Sequence, residues 1–365
     1  MKKFFYFTFA LFLLSFISAA SFGADKKIAI SMPSKDIERW KIDGENLKKG
    51  LKQKGYKVSL EFAKNDAVIQ NSQIKSFIDG GVDLLIIACV DDLNLSETLS
   101  LANKKGVKVI AYDKFIKNFA HTDCYMSFDA YKTGYLQGAI IVRALGLNTQ
   151  QKGPFYAEIF SSPMSDENSR LYYKGAMDAF SSYIQKERLR FNSGRVSLQA
   201  TAMKNMSADE SRDVMTKLIN KFYTSKKLDA VLCSQDIFAV GVIEAVKKAG
   251  YKVGDDKKNK PFPIITGQDC RPYNVKAMID KYQKGSIFKD YRLLVQQTIE
   301  NADNILNGKN PSINDMNTYK VGAKSIPAYL IEPRIVYKED LQKEIFDSGY
   351  YKKADILKLK SKRVM

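Results

Sequence analysis

The sequence predicts an α/β protein of two lobes, each with its own doubly wound parallel sheet. Three observations lead there. Short apolar runs alternate with helical stretches along most of the chain, and repeated β-α units build parallel sheets through right-handed crossovers. The run "VDLLIIACV" is apolar throughout, the mark of a strand covered on both faces. After "SFD" the alternation restarts, which in a chain of 365 residues reads as a second domain.

In order, "KKIAISM" is a strand, and residues 37–54 form a helix closed by Gly55. "KVSLEFA" is the next strand, and a helix over 66–79 ends at Gly80-Gly81. "VDLLIIACV", a helix over 94–105 stopped by Gly106, then the strands "VKVIAYD" and "DCYMSFD" complete the first series. The glycines mark helix ends because only glycine takes the left-handed cap conformation at little cost. The second series has a helix over 130–145, the strand "PFYAEIF" and a long helix over 167–186. The strand "RVSLQATA", a helix over 208–225 and the strand "LDAVLCS" follow. A helix over 237–249, the strand "FPIITGQD" and a short helix over 272–282 come next. "GSIFKD" reads as an extended crossing segment, 290–307 as a helix and "PAYLIEPRIVY" as one late strand. The expected lobes are therefore 25–130 with 290–320, and 131–289 with 321–355.

The first 23 residues stand apart. Lys2 and Lys3 precede an apolar stretch and then small residues, the pattern of a cleaved secretory signal peptide, with cleavage around Ala20 to Ala24. The stretch is short for a spanning helix. The mature protein is expected to be periplasmic. The formal charge is +18; removing 1–23 takes away two lysines and no acid and leaves +16. The lysines are scattered along helices rather than clustered, and export argues against nucleic acid, so no nucleic-acid partner is expected. Cys89, Cys124, Cys233 and Cys270 fit no zinc spacing. They read as small buried residues, with a Cys233–Cys270 disulfide as the alternative.

In open parallel sheets, ligands bind beyond the carboxyl ends of the strands. Lys35, Arg39 and Trp40 follow the first strand, and Asp113 and Lys114 follow "VKVIAY". Asp129 follows "YMSF", and Asp166, Asn168 and Arg170 follow "YAEIF". Gln235 and Asp236 follow "AVLCS", Gln268 and Asp269 follow "IITG", and "GSIFKD" adds Phe288 and Lys289. Carboxylates, amides and cations in one set match hydroxyl groups as donors and acceptors, and an indole face suits the C–H face of a sugar ring. Taken singly, an Asp after a strand is often a helix N-cap, and the one Trp is as readily a core residue. No catalytic order is visible. The one histidine, His121, falls in a loop, no G-x-S-x-G stands at a strand–helix turn, and no glycine-rich phosphate loop follows the first strand. Paired carboxylates could serve a glycosidase, but these sit among cations and amides, so no enzyme is expected.

The motifs "ISMPSKDIERW", "GVDLLIIACVD", "GVKVIAYDKFIKN", "FDAYKTGYLQG", "DENSRLYYKGAMD", "LDAVLCSQD", "ITGQD" and "NDMNTYKVGAKSIPAYLIEP" resemble the periplasmic sugar-binding proteins of ABC importers. The likeness is to the ribose/galactose/xylose class, and within it to the multiple-sugar-binding proteins of plant-associated bacteria, which also serve chemotaxis. It covers nearly the whole mature chain. The resemblance implies the type I periplasmic-binding fold, two lobes joined by three strands and closing on a monosaccharide. It implies an ABC transporter permease as partner, with a chemoreceptor or sensor kinase as the alternative, and a monomer. The family's contacts fall on Lys35, Arg39, Trp40, Asp113 and Lys114 in one lobe, and on Asn168, Gln235 or Asp236, Asp269 and Lys289 in the other. Lys114 stands where the family often has Arg, and Gln235 where relatives often have Asn, which leaves the sugar open. The calcium loop of some relatives is not apparent; no metal and no cofactor are expected.

Overall fold

The computed structural model describes residues 26–149, 153–254 and 260–359. The expected signal peptide lies outside the described residues. Among these residues no helix is long and apolar enough to cross a membrane.

The chain opens with β1 (Lys27–Met32), α1 (Glu38–Gln53), β2 (Lys57–Phe62), α2 (Ala67–Asp79), β3 (Leu84–Ile87), α3 (Ser96–Lys104), β4 (Lys108–Tyr112) and β5 (Cys124–Phe128). It continues through α4 (Ala130–Ala144), β6 (Phe155–Phe160), α5 (Ser169–Gln185), β7 (Leu189–Arg190), α6 (Leu198–Thr201), α7 (Ala208–Phe222) and β8 (Ala230–Cys233). Next come α8 (Asp236–Lys248), β9 (Tyr251–Lys252), β10 (Lys260–Pro261), β11 (Ile264–Gln268), α9 (Pro272–Ile279) and β12 (Gly285–Phe288). The last part holds α10 (Tyr291–Leu306), β13 (Lys320–Val321), β14 (Lys324–Ser325), β15 (Ala328–Ile331), β16 (Arg334–Tyr337) and α11 (Lys353–Lys358).

Two compact units result: residues up to Ser127 with Tyr291–Ile331, and Phe128–Asp290 with Glu332 onward. Among the described residues the first unit's sheet runs β15-β5-β4-β3-β1-β2, with β1 to β5 parallel. The second unit's sheet runs β16-β12-β11-β8-β6-β7, parallel except where β16 meets β12 antiparallel. All four residues of β3 and of β8 are buried, as strands covered by helices on both faces must be.

In the first unit α1 buries Trp40, Asp43, Gly44, Leu47 and Leu51, a helical stripe at i, i+3, i+4, i+7 spacing. It packs on α10, where a Cβ on Gly50 would collide with Ile299. In the second unit α4 and α5 meet through glycines: a Cβ on Gly134 would fall onto the Tyr172 carbonyl, and one on Gly175 onto that of Tyr131. The opposite face of that sheet carries α7 and α8 over Phe160, Val231, Cys233 and Ile265.

Four expectations need correction. "RVSLQATA" is not a strand: the Ser197 hydroxyl accepts from the Ala200 amide at 3.1 Å and starts the one-turn α6 instead. The strand beside β6 is Leu189–Arg190, and Ala202 keeps only an isolated bridge to Ser161. "PAYLIEPRIVY" is two strands in two sheets, because Pro333 lacks the N–H a continuous ladder needs. "GSIFKD" is a sheet strand, β12, paired to β11 and β16; the chain leaves the second unit only after Asp290. The last crossing follows Ile331 rather than residue 320, since β15 belongs to the first sheet. All four cysteines are buried free thiols, so the Cys233–Cys270 disulfide is not formed. Burial pushes the Cys89 and Cys124 thiols up to about 12, which keeps them protonated and unreactive.

Candidate functional site

In the first unit the residues past β1 and β4 converge on one guanidinium. Arg39 lies in the first turn of α1 and Asp113 directly after β4, and Arg39 Nη2 is 2.9 Å from Asp113 Oδ2. Its Nε donates to Asp43 Oδ2 at 3.3 Å, one helical turn along α1. Tyr112 Oη donates to the same Asp43 oxygen at 3.0 Å. The guanidinium lies between two rings, 4.1 Å from the Trp40 centroid and 3.7 Å from that of Tyr291. A planar cation is thus stacked on both rings and paired to carboxylates through Nε and Nη2.

The electrostatics follow from burial. The Asp43 carboxyl is pushed up to about 6, first by burial and against the pull of Arg39 and the Tyr112 hydroxyl. Burial alone would lower the Arg39 pKa, but the charges of Asp113 and Asp43, together with Tyr291, raise it well above the usual value. Arg39 is thus permanently charged. Asp113 keeps 18% of its side chain exposed while paired.

The second unit has a matching set past β6, β8, β11 and β12. Asp269 Oδ1 is 2.7 Å from Lys289 Nζ, with only 14% and 9% of the two side chains exposed. The Lys289 ammonium lies 6.0 Å from the Tyr172 ring. Gln235 is nearly buried and donates from Nε2 to Ser162 Oγ at 3.0 Å. Asn168 is half-buried in the turn that starts α5, its amide donating to Asp166 Oδ1 at 3.0 Å.

Asp236 is placed differently. It is fully buried, and its carboxylate accepts from Gln283 Nε2 and Ser286 Oγ at 3.0 Å each and from the Arg271 amide at 2.8 Å. Burial, then the charge of Asp269, pushes it up to about 7 against those three donors. It ties the start of α8 to the loop after β11 and to β12. Of the pair Gln235 and Asp236, Gln235 is the one with hydrogen-bonding capacity left for a ligand.

Of the remaining expected residues, only Trp40 touches the Arg39–Asp113 pair. Lys114 is exposed, and Asp113 is held by Arg39. Lys35 is exposed and borders, with Asp36, Glu61, Phe62 and Lys64, a hollow of about 520 Å³ beside β2. Trp40 is buried beneath Arg39. Asp129 accepts from the Lys132 amide at 2.7 Å and caps α4. His121 is exposed in a turn.

Three contributors went unnoticed in the sequence. Asp43 was legible as an i, i+4 partner of Arg39. Tyr172 and Tyr291 carry no local signal, since each reaches its cation only through the fold. Among the described residues no group of three His, Cys, Asp or Glu side chains is placed to hold a metal ion.

Residues 28–310 match the family model described as a periplasmic binding protein domain. The chain is 37% identical over 341 residues to the multiple sugar-binding periplasmic receptor ChvE of Rhizobium radiobacter, covering 93% of this chain and 95% of that one. It is 36% identical over 327 residues to the multiple sugar-binding periplasmic protein SbpA of Azospirillum brasilense, covering 90% of each. Among solved structures, an ABC transporter solute-binding protein from Clostridium phytofermentans with bound β-D-glucose superposes with a TM-score of 0.80 at 41% identity. That match covers 91% of this chain and all of the other. With its two parallel-sheet units and this match over most of its length, the chain belongs to the periplasmic binding protein family and has the type I fold.

Proposed function

We propose that the chain is an exported sugar-binding protein that captures a monosaccharide and delivers it to an ABC transporter permease. The observation that carries this is the repeated ion pair. Arg39–Asp113 and Lys289–Asp269 each pair a carboxylate with a cation at the end of a parallel strand, with Trp40 and Tyr291 against the guanidinium and Tyr172 near the ammonium. A carboxylate so held accepts from two sugar hydroxyls without paying for its own desolvation alone. The proposed contacts are Arg39 and Asp113 in the first unit, with Trp40 as the floor beneath the guanidinium, and Asn168, Gln235, Asp269 and Lys289 in the second. Lys35 and Lys114 are proposed as outer contacts and Asp236 as the support of its loop. The ligand is an aldopentose or aldohexose, and the protein binds rather than converts it. The printed description of one relative as a receptor supports a second reading, in which the loaded protein reports to a chemoreceptor or sensor kinase.

The test is calorimetry of the mature protein with D-glucose, D-galactose, D-xylose, L-arabinose and D-ribose. One-site saturation by at least one of them is expected, with no product formed from a disaccharide on long incubation. Absence of heat with every sugar would refute the reading. Transport assays in a permease-deficient strain separate the importer from the sensor.

A further inference from the structure

Asp113 has φ +59°, the left-handed region that non-glycine residues seldom occupy. The Lys114 amide donates back to the Tyr112 carbonyl at 2.6 Å. Asp113 is therefore the central residue of a γ-turn of the positive-φ kind, which is rare and strained. Strain of this sort persists only where the surroundings over-determine it.

The surroundings do so here. The Asp113 carbonyl accepts from Tyr125 Oη at 3.1 Å and from Ser127 Oγ at 3.4 Å, and its amide donates to the Met126 carbonyl at 2.7 Å. All three partners lie on β5. The Tyr125 ring is itself fixed, 5.4 Å from Phe115 and 4.7 Å from Tyr319 between centroids, edge-on to both.

The turn has a consequence for side-chain direction. Along a strand, successive side chains point to opposite faces. Tyr112 reaches Asp43, and Asp43 binds Arg39. If β4 continued, Asp113 would point away from that group. The γ-turn swings it back, so that consecutive residues reach the same guanidinium cluster. We infer that Tyr125, with Ser127 as its second, is a positioning residue for the ligand-binding carboxylate of Asp113: its hydroxyl holds the strained turn that aims Asp113 at Arg39 and at the ligand. The inference rests on the proposed sugar reading.

The experiment is a double-mutant cycle, run with the tightest sugar from the calorimetric screen. Tyr125→Phe keeps the ring between Phe115 and Tyr319 and removes only the hydroxyl. It should raise Kd about 3- to 10-fold, as loss of one hydrogen bond does, and Tyr125→Phe with Ser127→Ala should raise it further. In Asp113→Gly, where no side chain is left to aim and glycine takes the turn freely, Tyr125→Phe should change Kd no further. An equal effect in both backgrounds would make Tyr125 a general structural residue and overturn the inference, as would an unchanged Kd for the Tyr125→Phe, Ser127→Ala protein. In either case wild type still binds sugar, so the functional reading stands. Failure of wild type to bind any sugar, or wild-type affinity in Asp113→Gly, defeats that reading and the inference with it.

Discussion

Asp113 and Asp269 are counterparts in the two units. Each is the first residue past a buried parallel strand, each has a positive φ, +59° and +95°, and each carboxylate lies within 3 Å of a cation. Each also donates its amide to the neighbouring strand, Asp113 to the Met126 carbonyl on β5 and Asp269 to the Ile287 carbonyl on β12. Asp tolerates positive φ better than most residues do, so a positive-φ turn stands at both strand ends, closed differently in each.

Removing one of these carboxylates should cost affinity rather than folding. Asp113→Gly is expected to weaken sugar binding by roughly 2–4 kcal/mol, about 30- to 1000-fold, with little change in the melting temperature without ligand. Asp113→Ala should lose similar affinity and also melt lower, because an alanine at this φ carries strain of about 1 kcal/mol or more. Calorimetry and thermal melts of the two variants side by side check both statements.

Arg39 covers Trp40. Arg39→Ala should expose the indole, shift its emission to longer wavelength and raise quenching by acrylamide. It should also leave Asp43 buried without its cation, which costs about 3–5 kcal/mol. An emission spectrum and quenching constant identical to wild type would show that the ring is covered by other groups.

Lys289 is nearly buried, and Asp269 leans on it. Lys289→Met should destabilise the free protein by about 3 kcal/mol or more by stranding that carboxylate, and should lower sugar affinity. Denaturant unfolding of the variant checks the first effect. A fully wild-type midpoint would be incompatible with a desolvated pair.

Asp43 sets a pH dependence. Its folded pKa of about 6 lies above the unfolded value near 4. A carboxyl raised in this way contributes stability that is complete below about pH 4 and is lost as pH rises through about 6. Relative to Asp43→Asn, wild type should lose up to roughly 3 kcal/mol across that window and hold a constant difference above pH 7. The check is the difference between the two unfolding free energies measured from pH 4 to 7. Wild type gaining stability relative to Asp43→Asn as pH rises from 4 to 7 would have the wrong sign.

Gly134 lets α4 and α5 touch. Gly134→Ala should destabilise by about 3 kcal/mol, since the added carbon collides with backbone rather than with a flexible side chain. The carbonyl it strikes belongs to Tyr172, whose ring lies near Lys289, so sugar affinity should fall as well. Melting and calorimetry on this variant read the two effects separately.

The amino-acid sequence by itself determined the alternation of strand and helix, the strand ends to inspect and the cations beside the carboxylates. Periodicity and glycine stops are local, and so is the Arg39–Asp43 spacing. Tertiary structure decided the rest. Pro333 marks the break in "PAYLIEPRIVY" locally, but which sheet each half joins is set by the edge positions that accept them, and an edge is a property of the assembled sheet. Trp40 proved to be a covered ring because Asp113 and Tyr291, both distant in the chain, hold Arg39 over it. Gln235 and Asp236 are adjacent, yet one keeps hydrogen-bonding capacity and the other is filled by donors from 35, 47 and 50 residues away. The left-handed turn at Asp113 is set by hydroxyls on the next strand. Each of these depends on groups distant in the chain, and pairing between distant groups leaves no periodic trace in sequence.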